Sequence, residues 1–193
     1  MTSAFEIRPG QPDEALDIVT LNVRAWRHAY QGVIPDAVLD ALEPQDRLVR
    51  WRDRLADQGE HGQVWVVRSG GRLCGFCWFG PAWEHLMHPP PADAGEISAF
   101  YLDPDHFGGG LADRLAGQVE AWLAARFDRS VLWVLEDNAR ARRFYTRRGW
   151  LADGARTPYP RPGCRGVYVV RHRWVPGPEA LTSAAGAGHP GGS

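Results

Sequence analysis

The chain has 193 residues, 44% of them hydrophobic, which is enough for one domain with a sizeable core and short for two. Lysine and arginine number 22 against 23 aspartate and glutamate, so no whole-molecule field draws in nucleic acid or an anionic membrane, and any polyanion site must be local. Three cysteines exclude a disulfide framework, charges from Glu6 to Arg27 exclude a signal peptide, and no apolar run reaches bilayer length, so the expectation is a soluble, cytoplasmic protein.

Phe5 to Arg8 predicts a short opening strand. Pro12-Asp13 then starts a helix with apolar positions Ala15, Val19, Val23, Trp26 and Ala29, ending near Gly32. A second start at Pro35-Asp36 precedes Val38, Leu39 and Leu42, and the stripe Leu48, Trp51, Leu55 follows Pro44. Val64 to Val67, the turn Ser69-Gly70-Gly71, and Leu73 to Phe79 form a predicted hairpin. Cys74 and Cys77 have CxxC spacing, but residues three apart on a strand point to opposite faces, so they are expected as core residues rather than a redox or zinc pair.

Residues 80–94 hold four prolines and two histidines without periodicity, which predicts an exposed loop at a site mouth. Glu96 to Leu102 predicts a strand closed by Asp103-Pro104. The run Gly108-Gly109-Gly110 then opens a helix marked by Leu111, Leu115, Val119, Trp122 and Leu123. Val131 to Leu135 is a buried-strand run, Asn138 to Arg148 a helix stopped by Gly149, and Trp150-Leu151 and Gly166 to Trp174 supply the last strands. Residues 1–175 are expected to make one domain. Residues 176–193, rich in glycine, proline and alanine, lack the apolar side chains to offset ordering entropy and are expected to form a disordered tail.

A helix N-terminus presents unpaired N–H groups and the positive end of the helix dipole, so the glycine run is suited to a phosphate; an isolated GGG is also simply a flexible turn. Its context is more specific. The segment GEISAFYLDPDHFGGGLADRL resembles the acetyl-CoA-binding segment of the GNAT acetyltransferase superfamily, in which a strand and an aspartate-proline lead to Gln/Arg-x-x-Gly-x-Gly/Ala at a helix start. Phe107 stands at the Gln/Arg position and departs from the pattern, Gly110 matches the glycine and Ala112 the Gly/Ala. By this resemblance Gly108, Gly109, Gly110, Leu111, Ala112 and Asp113 cradle a pyrophosphate. A second segment, VLWVLEDNARARRFYTRRGW, resembles the strand and helix of the same family that carry an asparagine, a Phe-Tyr pair and a glycine followed by an aromatic. The resemblance implies that Asn138 hydrogen-bonds the pantetheine arm and that Tyr145 is the general acid near the cofactor sulfur. The plain alternatives are a helix cap for Asn138 and a core aromatic for Tyr145. A third stretch, from Ala25 to Asp36, is similar to the family's first interhelical segment, which borders the acceptor.

The implied fold is α/β: the GNAT acyl-CoA N-acyltransferase fold, a central, mostly antiparallel mixed sheet with helices on both faces. The implied activity is transfer of an acetyl group from acetyl-CoA, as co-substrate and without a metal, to a primary amine of a small molecule or peptide. A non-catalytic acyl-CoA-binding sensor or partner module is the alternative. Acetyl transfer needs a base, an oxyanion donor and a proton for the thiolate. The base candidate is Glu96, directly or through water, with His85, His88, Glu84 and Asp36 as competitors. A strand bulge expected at Phe100, Tyr101 and Leu102 would turn backbone amides toward the thioester, with Leu102 N–H as the oxyanion donor. Arg143 is the candidate for a CoA phosphate within a basic cluster that otherwise reads as a solvated helix face. Trp26, Tyr30 and His85 are the acceptor-side candidates. The partners expected are thus acetyl-CoA and an amine, with no nucleic acid and no membrane, and the family admits a homodimer.

Overall fold

The computed structural model describes residues 5–59, 62–83, 91 and 93–177. Strand β1 (Glu6–Pro9) leads through a 3-10 turn into α1 (Ala15–Ala29), then α2 (Asp36–Asp40) and α3 (Gln45–Ala56). β2 (Gln63–Ser69), β3 (Arg72–Pro81) and β4 (Gly95–Leu102) follow, then α4 (Leu111–Ala124), β5 (Ser130–Leu135), α5 (Ala139–Arg147), β6 (Leu151–Pro158) and β7 (Tyr168–Trp174). The seven strands form one sheet in the order β1-β2-β3-β4-β5-β7-β6. Only β4 and β5 run parallel; every other neighbouring pair is antiparallel. The parallel step has a simple origin, since α4 crosses over between the two strands.

Both faces of the sheet are covered. On one, Ile18, Val19 and Leu21 of α1 and Trp51 and Leu55 of α3 bury against Val64, Val66 and Phe76. On the other, the stripe Leu111, Leu115, Val119, Leu123 of α4 packs on Phe79, Ile97 and Leu132, with Tyr145 and Trp150 closing the layer. A third cluster joins the end of α1 and α2 to the far ends of β5 and β7 through Trp26, Ile34, Leu39, Leu135 and Val169. Each such side chain removed from water stabilises the fold by about 1.5–3 kcal/mol before ordering costs.

Three polar devices fix the helices. Glu14 accepts the Gln11 N–H (2.9 Å) and a bidentate pair from Arg8 (2.8 and 3.0 Å), with Arg68 Nε 3.0 Å away. Arg27 of α1 donates to the carbonyls of Leu39, Asp40 and Leu42, closing the end of α2. Glu120 of α4 accepts from Arg148 and from Trp150 Nε1 (2.9 Å), which ties α4 to the chain leaving α5.

The structure departs from the sequence reading in three places. Cys74 and Cys77 are free and buried, but they join the same cluster under α4 rather than opposite faces. The pairing slips there: Val67 opposes Gly75 while Arg68 opposes Leu73, so Cys74 is an extra residue and the side-chain alternation reverses. β6 runs to Pro158 as an exposed edge strand, with a slip between Ala152 and Arg156. Such a strand has one neighbour and no buried face, so it carries little apolar alternation to be read. α1 stops at Ala29, before Gly32. Glu84, His85 and His88, most of the 80–94 loop, and residues 178–193 of the expected tail lie outside the described residues. No helix among the described residues is long and apolar enough to cross a membrane.

Candidate active site

β4 and β5 lie side by side for only three residues each, Gly95–Ile97 against Ser130–Leu132. Beyond them β4 stays with β3 and β5 with β7, so the two strands part and leave a cleft of about 900 Å³ in the middle of the sheet. A bulge sits where they diverge. Ile97 opposes Phe79 and Ala99 opposes Trp78, which leaves Ser98 unmatched and bends the strand. The bulge expected at Phe100–Leu102 is therefore at Ser98, and Phe100, Tyr101 and Leu102 are regularly paired with Cys77, Phe76 and Gly75. Free amides arise there for another reason. Asp103 N–H donates to Cys74 O at 2.9 Å, and alternation along β4 then turns the N–H groups of Phe100 and Leu102 to the opposite edge, into the cleft.

One mouth of the cleft is the start of α4. Asp103 accepts the Asp105 N–H (3.0 Å) and both carboxylates are held by Arg24 at 2.8 Å, which fixes the turn to α1. Gly108 (φ 84°) and Gly110 (φ 73°) are left-handed, and a Cβ on either would meet nothing within 4 Å. The first helical bond is Arg114 N–H to Gly110 O, so the amides of Leu111, Ala112 and Asp113 have no partner in the helix. Unpartnered amides at a helix start are suited to an anion. Gly108, Gly110, Leu111, Ala112 and Asp113 all line the cleft, whereas Gly109 does not. Phe107 lines it as well and carries the Arg140 guanidinium 3.6 Å above its ring.

α5 forms the facing wall. Asn138 caps it, its Oδ1 accepting from Ala141 N–H at 3.0 Å, and lines the cleft at the same time. Arg140, Arg143 and Arg147 lie on the cleft side, three and four residues apart. Tyr145 is buried against Phe144, Phe100 and Trp150 yet reaches the cleft. Burial, with Cys77 and Tyr101 nearby, pushes its phenol above the ordinary value, which favours the protonated, donating form.

The other end is aromatic. Trp26 of α1, Tyr30 at its C-cap, Tyr101 of β4, Trp133 of β5 and Tyr159 enclose it. The hydroxyls of Tyr30 and Tyr101 are 3.3 Å apart, and burial raises both phenols. Tyr159 and Trp133 were not legible as site residues: one sits in a proline-rich segment after β6, the other in the middle of a buried-strand run. Arg140 could have been found, because helical spacing places it beside Arg143.

Glu96 is not brought to the cleft. It is 1% exposed at the start of β4, between Gly80 and Val131, and is not among the lining residues. Ser98, which does line the cleft, donates its Oγ–H to Glu96 Oε1 at 3.4 Å. Asp36 begins α2, exposed and away from the lining. Among the described residues Asp113 is the one carboxylate in the cleft wall.

Fold and cleft define a class: α/β proteins whose mixed sheet opens into a cleft between two splayed parallel strands. The family model described as "Acetyltransferase (GNAT) family" matches residues 22–150. A Mycobacterium tuberculosis protein described as a probable N-acetyltransferase is 25% identical over 152 residues, covering 79% of this chain and 83% of that one. The mycothiol acetyltransferase of Salinispora arenicola is 32% identical over 159 residues, 80% of this chain and 46% of that protein, so this chain spans about half the length of that relative. Among solved structures, the PaiA N-acetyltransferase of Thermoplasma acidophilum in complex with coenzyme A superposes with a TM-score of 0.68 at 13% identity, over 90% of this chain and 99% of that one. The chain belongs to the GNAT acetyltransferase family, and its activity is acetyl-CoA-dependent N-acetyl transfer.

Proposed function

We propose that acetyl-CoA lies between β4 and β5 with its pyrophosphate on the start of α4, and that a primary amine of a small molecule or peptide enters from the aromatic end. The observation that carries this reading is the splay itself, with unpaired helix amides at one end and Asn138, Tyr145 and the inward amides of β4 along its length. When bound, the thioester supplies the acetyl group and a thiolate leaving group.

The amides of Leu111, Ala112 and Asp113 hold the pyrophosphate, with Arg143 on a further phosphate. Arg140, stacked on Phe107, brings a cation to the place where the family pattern has Gln or Arg, so Phe107 supports charge rather than removing it. Asn138 has its Oδ1 committed to the cap, leaving its NH2 to donate to the pantetheine arm. The Leu102 N–H stabilises negative charge on the carbonyl oxygen as the amine nitrogen attacks. Tyr145 gives its phenolic proton to sulfur as the C–S bond breaks. The amine loses its proton through Ser98 Oγ to Glu96, which makes Glu96 a relay partner behind the wall. The acceptor of the mycothiol acetyltransferases is not carried over, since this chain spans under half of those proteins.

The test is calorimetric titration with acetyl-CoA, followed by thiol release from the same preparation against a panel of amines. Saturable binding with amine-dependent release is expected. Binding without release would favour the sensor reading, and absence of binding would overturn the donor site.

A further inference from the structure

The aromatic end of the cleft is flanked by two cations that the acetyl donor does not need. Arg47 of α3 has its guanidinium 4.8 Å from the centre of the Trp26 ring, and Arg161, from the segment between β6 and β7, has its own 5.3 Å from the same ring. Trp26 lines the cleft, as does Tyr159, whose phenol feels both guanidiniums. Among the described residues neither arginine forms an ion pair, although Arg8, Arg24, Arg68, Arg148, Arg156 and Arg171 each have a carboxylate within 3.0 Å. Arg47 donates to Asn22 Oδ1, a neutral partner. Both arginines are half-buried, and burial together with the charge of Arg161 holds Arg47 below its ordinary value.

Neither arginine is itself a lining residue, and they reach the cleft through the Trp26 ring they share. Two half-buried cations on one ring, each without a carboxylate partner among the described residues, are stabilised if an anion joins them. Guanidinium forks match the two oxygens of a carboxylate, and stacking on an indole pre-orients them for it. The surrounding walls, Tyr30, Tyr101 and Trp133, suit an apolar or aromatic body. We propose that the acceptor is an amine that also carries a carboxylate, as in an amino acid or short peptide with an aromatic side chain, and that Arg47 and Arg161 select it. This rests on the reading of the cleft as the acetyl-transfer site.

The experiment compares two matched pairs: L-phenylalanine with L-phenylalaninamide, and glycyl-L-phenylalanine with its amide, which carries the anionic group farther from the amine. Each is titrated calorimetrically into the full chain, with and without saturating CoA, for the unaltered protein, Arg47→Gln and Arg161→Gln. Glutamine at 47 keeps a donor for Asn22, so the packing is preserved. At least one carboxylate is expected to bind about tenfold or more tightly than its amide. Each substitution should remove that preference while CoA affinity stays unchanged, and Arg47→Lys should recover part of it. Equal binding within both pairs, no binding of any of the four, or a preference that survives both substitutions overturns the proposal. Failure to bind CoA would instead overturn the donor site, and the CoA-free titrations still read the carboxylate preference by itself.

Discussion

At the scale of single residues the site separates binding from chemistry. Tyr145 sits in a buried aromatic cage and holds its proton, so Tyr145→Phe removes a donor and little else. Turnover should fall by about 10²-fold while the calorimetric affinity for acetyl-CoA stays within a factor of two. Equal losses in both would make the phenol a packing residue. Gly110→Asp does the reverse. A side chain there meets no protein atom, and aspartate adopts the left-handed φ of 73° at a cost of about 1–2 kcal/mol, but it puts a negative charge at the helix start and should abolish measurable acetyl-CoA binding. Glu96→Gln removes the end of the proposed relay, and turnover should fall about 10²-fold with acetyl-CoA affinity unchanged. Undiminished turnover would move the base elsewhere. The sequence made Tyr145 and Asn138 legible because each belongs to a spaced motif. It could not show how deeply Glu96 is buried, because that depends on the neighbouring strands β3 and β5 being in place on either side.

At the scale of elements, charge pairs set where helices begin and how they dock. Glu14 shows the balance. Burial alone would raise its carboxyl, but the hydrogen bonds from Arg8 and Gln11, with the charges of Arg8 and Arg68, outweigh burial and hold it below the ordinary 4.5. A lowered native value stabilises the fold above pH 4.5, and the contribution is lost as pH falls through the native value. Glu14→Gln should therefore cost about 2 kcal/mol at neutral pH in chemical denaturation, and the two proteins should converge in stability in acid. A gap that persists at low pH would assign the loss to packing. The helices and the β2–β3 hairpin were readable from apolar spacing and turn residues. The slips at Cys74, Ser98 and Ala152 were not, because a bulge is set by how two strands meet rather than by one strand's residues.

At the scale of the whole molecule, the proposed donor site lies where the sheet is divided, so binding there should brace both halves. At acetyl-CoA concentrations 100 times the dissociation constant, the native state should gain about 2.7 kcal/mol, and the thermal midpoint should rise by roughly 5–10 °C. Gly110→Asp should show no such rise, whereas Tyr145→Phe should keep it. A rise that survives in Gly110→Asp would place the ligand elsewhere. The sequence by itself determined most of the element order, the family resemblance and the candidates for the donor half of the site, because those rest on local patterns: a glycine turn at a helix start and a capped helix with its Phe-Tyr pair. It offered Trp26 and Tyr30 for the acceptor side, and only the tertiary structure put the other residues of the aromatic end beside them. Trp26, Arg47, Tyr101, Trp133 and the pair Tyr159 and Arg161 come from five separate segments, and no local spacing relates those segments. Their meeting depends on a bulge at Ser98 that parts β4 from β5, and on the packing of α1 and α3 against the opening. Such long-range geometry leaves no periodic trace in the chain.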